Sequence, residues 1–191
     1  IPENASVILF VGGLAPHKNL SGFLDGFEKS LGNACMRHVH VALIGDLKGA
    51  GFFSNYNSLS VKVKTNPLLA ERVHFSGYVS DEDLVALYSS AFAVTMPSYS
   101  EGFGLPAIEA MACGAPVLAS DRGSLPEVIG DAGIYFDPFD IESISKAIIE
   151  MAENRSLRLQ LSCNALTRAK TFTWQHAAQA TLTYLEAMIK K

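Results

Sequence analysis

Two glutamates flank a glycine-rich turn in the middle of the chain, in the stretch SEGFGLPAIEAMACGAPVLAS at 100–120. Pro106 suits the first turn of a helix because its missing N–H would be unpaired there anyway, which predicts Leu105 as the N-cap. Leu105 has no side-chain acceptor for the amides that follow, so the helix start should attract an anion. A diphosphate fits, since the helix dipole favours negative charge by roughly 0.3 to 2 kcal/mol.

The carboxylates of Glu101 and Glu109 would contact different parts of such a ligand. Glu109 lies one turn into the predicted helix, and helical side chains tilt toward the N-terminus, so it can accept hydrogen bonds from ribose hydroxyls. Glu101 precedes the glycines and could hold a second polyol, such as a sugar being transferred. The alternative is that both glutamates only complement the dipole at a solvent-facing helix start. The apolar residues around Glu109 disfavour it.

Two further glycine-containing loops follow predicted strands. In GGLAPHKN at 12–19, Gly13 permits close backbone approach and Lys18 lies at the start of a predicted helix, where a cation would add to the attraction for an anion. A lysine beside a loop is more often simply solvated, so this loop is informative only together with the first. The loop GDLKGAG at 45–51 could also contact phosphate, but an ordinary connection is the preferred interpretation.

A dinucleotide-binding motif is the main competing interpretation of the central turn. Gly102 to Ala107 matches G-x-G-x-x-A, and Asp121 follows the next strand candidate. That motif requires a tight turn directly after a strand, whereas PSYSE at 97–101 intervenes here. An NAD(P)-binding oxidoreductase domain is therefore the second hypothesis.

An acidic cluster offers a possible metal site, at Asp81, Glu82 and Asp83. Ser80 precedes it as an N-cap, and Asp83 stands three residues later, which is the spacing of a capping box. The favoured interpretation is therefore that these residues cap a helix and bind no metal. The histidines and cysteines show no metal-ligand spacing either, so no metal is predicted.

Short β-branched runs alternate with amphipathic segments from end to end. The strand candidates are Val7–Val11, Val39–Ile44, Val73–Phe75, Phe92–Met96, Pro116–Ala119 and Gly133–Phe136. Each precedes a helix candidate, and Asn19 and Asp140 are candidate N-caps. This alternation predicts an α/β fold, a Rossmann-like, doubly wound parallel sheet of about six strands with helices on both faces. Ligands of such sheets bind at the carboxyl ends of the strands.

Composition narrows the class of protein. The chain has 191 residues, 49% of them apolar, and a net charge of −4, which suits a single domain, residues 1–191, around a sheet buried on both faces. It has no apolar run approaching the roughly 18 to 20 residues that cross a bilayer and no basic cluster that would track nucleic acid. We expect a cytoplasmic protein that binds no nucleic acid, with Cys35, Cys113 and Cys163 as small buried thiols.

The stretch SYSEGFGLPAIEAMACGAPVLASDRGSLPEVIGDAG at 98–133 resembles the signature of retaining glycosyltransferases of family 4, and Glu101 and Glu109 match its E-x7-E pair. VGGLAPHKNL at 11–20 is similar to the family's first phosphate loop, and RVHFSGYVSDEDLVALY at 72–88 to its base-side segment. The resemblance implies the C-terminal, donor-binding half of a two-domain GT-B fold, without the N-terminal acceptor domain. A chain that opens at Ile1 without Met agrees with that expectation.

By this resemblance, the substrate is a nucleoside diphosphate sugar, transferred with retention and without a metal or other cofactor. Glu109 would hold the ribose and Glu101 the sugar hydroxyls. The diphosphate would contact the amides of Phe103, Gly104 and Leu105, together with Lys18 and Gly13. The backbone near Val79 would contact the base. Many members have an Arg where this chain has Gly13 and related loops have one at His17, so the cationic contacts differ from the family pattern.

The APHKN loop resembles those of mannosyl- and rhamnosyl-type enzymes of polysaccharide biosynthesis, which favours GDP-mannose over a UDP-sugar as donor. The acceptor would be a glycan or a lipid-linked glycan, bound by the missing domain, with the full-length enzyme at most peripheral on the inner face of the membrane. The domain alone is expected to bind its donor without turnover. A non-catalytic module that binds a nucleotide sugar is the third hypothesis.

Overall fold

The computed structural model describes residues 1–46 and 54–189. Six strands form one sheet with the order β3-β2-β1-β4-β5-β6, and every pairing in it is parallel. The strands are β1 Ser6–Val11, β2 Val39–Ile44, β3 Val73–Gly77, β4 Ala93–Met96, β5 Val117–Ser120 and β6 Gly133–Phe136. The predicted α/β class and the parallel sheet are confirmed, with strand ends within two residues of the predicted ones.

Helices connect the strands and cover the sheet. The α-helices are α1 Leu20–Ser30, α2 Tyr56–Thr65, α3 Pro67–Arg72, α4 Asp81–Ser90, α5 Leu105–Ala112, α6 Leu125–Ile129, α7 Ile141–Glu153, α8 Arg155–Ala169 and α9 Trp174–Ile189. Three-residue 3₁₀ helices occupy Pro16–Lys18, Ala34–Met36 and Gly130–Ala132. In the part of the chain that the structure describes, no helix combines the length and the apolar character needed to cross a membrane.

The strands pack apolar side chains on both faces of the sheet, because neighbouring residues of a strand point to opposite sides. Phe10 belongs to the larger core cluster, with Phe23 and Phe27 of α1 and with residues of α7. Leu9 belongs to another cluster, with Tyr88 of α4 and Ala110 of α5. All six residues of β2 are buried, as expected for a strand covered on both faces.

The order of the strands determines where a ligand can bind. β1 lies between β2 and β4, so the loops that follow β1 and β4 leave neighbouring strands, although β2 and β3 separate them in the sequence. The chain reverses its direction of winding between β1 and β4, and open α/β sheets bind ligands in the crevice at such a point. The loops at 12–19 and 97–104 therefore meet at this crevice.

Three details differ from the sequence-based expectations. Asn19 precedes α1 but makes no capping hydrogen bond; it has φ 52°, and its Nδ2 instead donates to the Pro138 carbonyl at 2.8 Å. Cys163 is exposed, and Cys35 and Cys113 are half-buried, so the cysteines are not all buried thiols. Of the loop at 45–51, residues 47–51 lie outside the described residues.

Candidate functional site

Helix α5 begins one residue earlier than its sequence predicts. Gly104 is the N-cap with φ 92°, and Leu105 is already helical, so the prediction of Leu105 as N-cap is wrong. Glycine adopts this left-handed conformation without the steric cost that leucine would have, which explains why Gly104 and not Leu105 is the N-cap. The cap makes no side-chain hydrogen bond to the helix, as predicted, and the Ala107 amide donates to the Gly104 carbonyl at 2.9 Å.

Three consecutive backbone amides lead into helix α5. Within the described ranges, no hydrogen bond is made by the backbone N–H groups of Phe103, Gly104 or Leu105. The side chains on either side of Gly104 extend into solvent, and Phe103 also packs edge-to-face on Phe172 at 5.9 Å between ring centroids. An uncapped helix start attracts anions, so the diphosphate contact stays a prediction for these three amides.

Lys18 and Glu101 join the two loops of the crevice. Lys18 Nζ lies 2.6 Å from Glu101 Oε1, and the two side chains are 21% and 10% exposed. The hydroxyl of Ser98, which is fully buried, donates to the same carboxylate oxygen at 2.6 Å. The Tyr99 amide donates to the His17 carbonyl at 2.8 Å. The structure therefore brings Lys18 and Glu101 together, as a shared position at the end of neighbouring strands predicts.

A second set of contacts fixes the backbone of Glu101. The Ser120 hydroxyl, at the end of β5, donates to the Ser98 carbonyl at 2.6 Å, and the Ser124 hydroxyl donates to the Glu101 carbonyl at 3.1 Å. Gly123 has φ 62°, and a Cβ there would lie 2.9 Å from the Glu101 carbonyl oxygen. These three serines have no predicted role in the sequence. The available signal was that Ser98 and Ser120 stand at the ends of apolar strands.

The Glu109 carboxylate contacts a tyrosine of helix α4. The Tyr88 hydroxyl donates to Glu109 Oε2 at 3.2 Å, and Tyr88 is 2% exposed whereas Glu109 is exposed. Burial, and then the Glu109 carboxylate, raise the pKa of Tyr88 far above its usual value, so the hydroxyl stays protonated and donates. From the sequence, Tyr88 was named only as the last residue of the segment 72–88, which resembles the family's base-side segment.

The remaining predicted contacts lie on the same edge of the sheet. Val79 is half-buried between the end of β3 and the start of α4. Gly13 is exposed, with open space where a side chain would be, and His17 is also exposed. None of these three touches the Lys18–Glu101 pair through a hydrogen bond in the described residues, so their roles stay predictions.

The acidic cluster at 81–83 and Asp121 of the dinucleotide-type motif make contacts within their own segments of the chain. The Asp83 amide donates to the Ser80 hydroxyl at 3.1 Å, so the predicted N-cap is confirmed. The Asp83 carboxylate accepts from the Ser80 hydroxyl at 2.8 Å, whereas a full capping box would have it accept from the Ser80 amide. Asp121 pairs with Arg122 at 3.0 Å. Among residues 1–46 and 54–189, no group of three or more His, Cys, Asp or Glu side chains is arranged to hold a metal.

Comparison with known proteins identifies the family. Residues 1–168 match the family described as glycosyl transferases group 1. The chain belongs to this family. The chain is also 36% identical over 180 residues to O-antigen chain mannosyltransferase B of Escherichia coli, covering 91% of this chain and 44% of that enzyme. It is 33% identical over 183 residues to mannosylfructose-phosphate synthase of Agrobacterium fabrum, covering 94% of this chain and 40% of that enzyme. This group 1 glycosyltransferase chain thus spans less than half the length of these relatives.

Solved structures share the fold. Sucrose-phosphate synthase from Thermosynechococcus elongatus superposes with a TM-score of 0.84 at 26% identity, over 100% of this chain and 47% of that one. HepE of Anabaena in complex with UDP superposes with a TM-score of 0.81 at 25% identity, over 96% of this chain and 49% of that one. The group 1 chain therefore has the Rossmann-like fold of one half of a GT-B glycosyltransferase. The comparisons give no support to an oxidoreductase.

Proposed function

We propose that this chain is the donor-binding domain of a retaining glycosyltransferase that transfers a sugar from a nucleoside diphosphate sugar. The observation that carries the proposal is the Lys18–Glu101 pair, 2.6 Å apart, beside an uncapped helix start, in a chain of the group 1 family. A cation, free amides and a helix dipole suit a diphosphate, and carboxylates suit the hydroxyls of sugars.

Each part of the donor has a proposed partner. The amides of Phe103, Gly104 and Leu105 would bind the diphosphate, with Lys18 and the Gly13 backbone facing it. Glu109, whose carboxylate contacts Tyr88, would accept hydrogen bonds from the ribose. Glu101, which Ser98 also contacts, would hold hydroxyls of the donor sugar. The backbone near Val79, at the carboxyl end of β3, would contact the base.

The chemical role of these groups follows from the reaction. When the bond between the anomeric carbon and the β-phosphate oxygen breaks, its electrons pass to that oxygen, and an acceptor hydroxyl bonds to the anomeric carbon and gives up its proton to the departing phosphate. The leaving diphosphate gains negative charge, which Lys18 and the start of α5 would stabilise. Deleting one such preorganised donor costs on the order of 100- to 1,000-fold in rate. This assignment needs no metal for the leaving group.

The donor and the acceptor are proposed from the relatives. Because one relative is named a mannosyltransferase, GDP-mannose is the favoured donor; the UDP complex of HepE makes a UDP-sugar the alternative. The acceptor, a glycan or a lipid-linked glycan, would bind a second domain, because the chain spans 44% of that mannosyltransferase. We propose a cytoplasmic enzyme, with at most peripheral contact with the membrane.

Calorimetric titration of the chain with UDP, GDP and ADP tests the proposal. We expect one of them to bind, and its nucleotide sugar to bind at the same stoichiometry without turnover, since closure of two domains normally completes such a site. Titration with NADH serves as the comparison for the oxidoreductase hypothesis. If none of the three diphosphates binds, the proposed function is wrong.

A further inference from the structure

Tyr88 occupies an unusual position for a side chain with a polar end. It lies in the last turn of α4, packs with Leu9 and Ala110 in a core cluster and is 2% exposed. Its hydroxyl reaches out of this cluster to Glu109 Oε2 at 3.2 Å. A buried tyrosine hydroxyl normally finds a hydrogen-bond partner, and here the partner is a side chain of an otherwise solvent-facing residue.

The contact restricts the side-chain conformation of the exposed Glu109 more than that of the buried Tyr88. In the described part of the chain, the Tyr88 hydroxyl is the sole hydrogen-bond or ion-pair partner of the Glu109 carboxylate. An exposed glutamate otherwise samples many rotamers, and fixing one costs it side-chain entropy. With Oε2 held by Tyr88, the second oxygen, Oε1, keeps its full capacity to accept hydrogen bonds.

We propose that Tyr88 is a positioning residue that holds the Glu109 carboxylate ready to accept hydrogen bonds from the vicinal diol of a ribose. The inference rests on the proposed function, in which Glu109 contacts the ribose of a nucleoside diphosphate. A ligand that binds a preorganised group does not lose affinity in ordering it. Because Tyr88 sits in the rigid core, it can fix the position of the carboxylate without touching the ligand.

The matched pair of ligands is a nucleoside diphosphate and its 2′,3′-dideoxy form, chosen for whichever of UDP, GDP and ADP binds most tightly. We expect the wild-type protein to prefer the ribose form, and Tyr88→Phe to reduce that preference about 3- to 10-fold, the effect of one lost hydrogen bond. Affinity for the dideoxy form should not change. A loss of packing alone would lower both affinities together, so the ratio separates positioning from a structural role.

Tyr135→Phe is the matched control. The Tyr135 hydroxyl also makes one hydrogen bond, to the Gly130 carbonyl at 2.6 Å, and this contact involves none of the proposed donor-binding residues. Its removal should lower the melting temperature without changing the preference for ribose. Melting curves of both variants show whether each is folded. Should Tyr88→Phe not fold, Tyr88→Met, whose flexible apolar side chain fills core gaps and carries no hydroxyl, is tested for the same ratio.

A double-mutant cycle with Glu109→Ala separates this inference from the proposed function. If Tyr88 acts through Glu109, Tyr88→Phe should have no further effect on ribose preference in the Glu109→Ala background. If Glu109→Ala abolishes the preference but Tyr88→Phe keeps it, the inference about Tyr88 is wrong and the proposed function stands. If the wild-type protein binds no diphosphate, or Glu109→Ala does not change the preference, the ribose role of Glu109 fails, and the inference fails with it.

Discussion

Lys18 Nζ lies 2.6 Å from Glu101 Oε1, so the cation proposed for the diphosphate and the carboxylate proposed for the sugar form one ion pair. The two residues stand 83 positions apart in the chain and meet because β1 pairs directly with β4. Their side chains are mostly buried, which strengthens their mutual attraction compared with a surface pair. A change in either residue therefore also affects the other.

Lys18→Met should weaken binding of the nucleoside diphosphate roughly 10- to 100-fold, because a hydrogen bond to a charged group is lost. The dependence of the affinity on salt should also decrease, since one cation facing the phosphates is gone. Titration at low and moderate NaCl measures both. Lys29→Met removes the exposed pair with Glu142, also 2.6 Å long, and should leave binding unchanged. Equal effects of the two substitutions would contradict the role of Lys18.

Glu101→Gln and Glu109→Gln should separate the two carboxylates. Glu109→Gln should weaken the diphosphate and the nucleotide sugar to a similar extent, about 3- to 10-fold, because both ligands contain the ribose. Glu101→Gln should weaken mainly the nucleotide sugar. Glutamine is preferred to alanine at this position because its amide oxygen can still accept from Lys18 and Ser98, which contact Glu101 at 2.6 Å each. Calorimetry with the nucleoside diphosphate and with the nucleotide sugar measures both effects. If the two substitutions weaken binding of the plain diphosphate equally, the roles assigned to the two carboxylates are wrong.

Gly123→Ala should destabilise the fold by about 1 to 3 kcal/mol, because a residue with a side chain is strained in the left-handed region. The added Cβ would also lie 2.9 Å from the Glu101 carbonyl oxygen and 3.0 Å from its nitrogen, so the backbone at Gly123 or at Glu101 must shift. Urea denaturation and titration with the nucleotide sugar measure the two effects. Gly32→Ala is the control, since a Cβ there meets nothing within 4 Å. Unchanged sugar binding in Gly123→Ala would show that the loop position is not critical.

The His40–His74 pair should make stability fall in mild acid. His40 Nδ1 and His74 Nε2 are 3.0 Å apart; burial lowers the pKa of both rings, and Arg72 lowers that of His40 further. In the unfolded chain both histidines have the ordinary pKa of about 6.5. The unfolded chain therefore binds protons more readily than the folded state does. Stability is complete above that pH and is lost as the pH falls from there through the lower pKa of the folded state.

His40→Gln should flatten this pH dependence, measured as the free energy of unfolding between pH 7.5 and 5. The control is His38→Gln, an exposed histidine just before the same strand. A steeper slope in His40→Gln than in the wild-type protein would mean that the folded state binds protons more readily than the unfolded chain, the opposite of the expected sign.

Helix α9 should contribute little to the stability of the sheet domain. None of the residues of Trp174–Ile189 is buried, and burial of apolar surface is the main stabilising term in folding. A chain that ends at Thr173 keeps Phe172, which packs against the second core cluster. It should melt within a few degrees of the 191-residue chain by circular dichroism. A large drop in melting temperature would mean that α9 packs on the domain in solution.

The sequence predicted the fold because the deciding signals are local. Apolar strands such as VHVALI, all of whose residues are buried, alternate with helical periodicity, and a parallel sheet is the arrangement that buries both. The same local signals correctly predicted that Ser80 caps α4 and that no side chain caps α5. Glu101, Glu109 and Lys18 were predicted to bind the donor because they stand near predicted strand and helix ends.

Only the tertiary structure decided which of these residues contact one another. The pairs Lys18–Glu101, Tyr88–Glu109 and Asn19–Pro138 join residues that are 83, 21 and 119 positions apart. Such contacts depend on strand order and helix packing, which local periodicity does not encode. Likewise, Gly104 rather than Leu105 caps α5, because the loop path fixes a left-handed backbone at that residue. The sequence determined which chemical groups are present, and packing determined how they are paired and oriented.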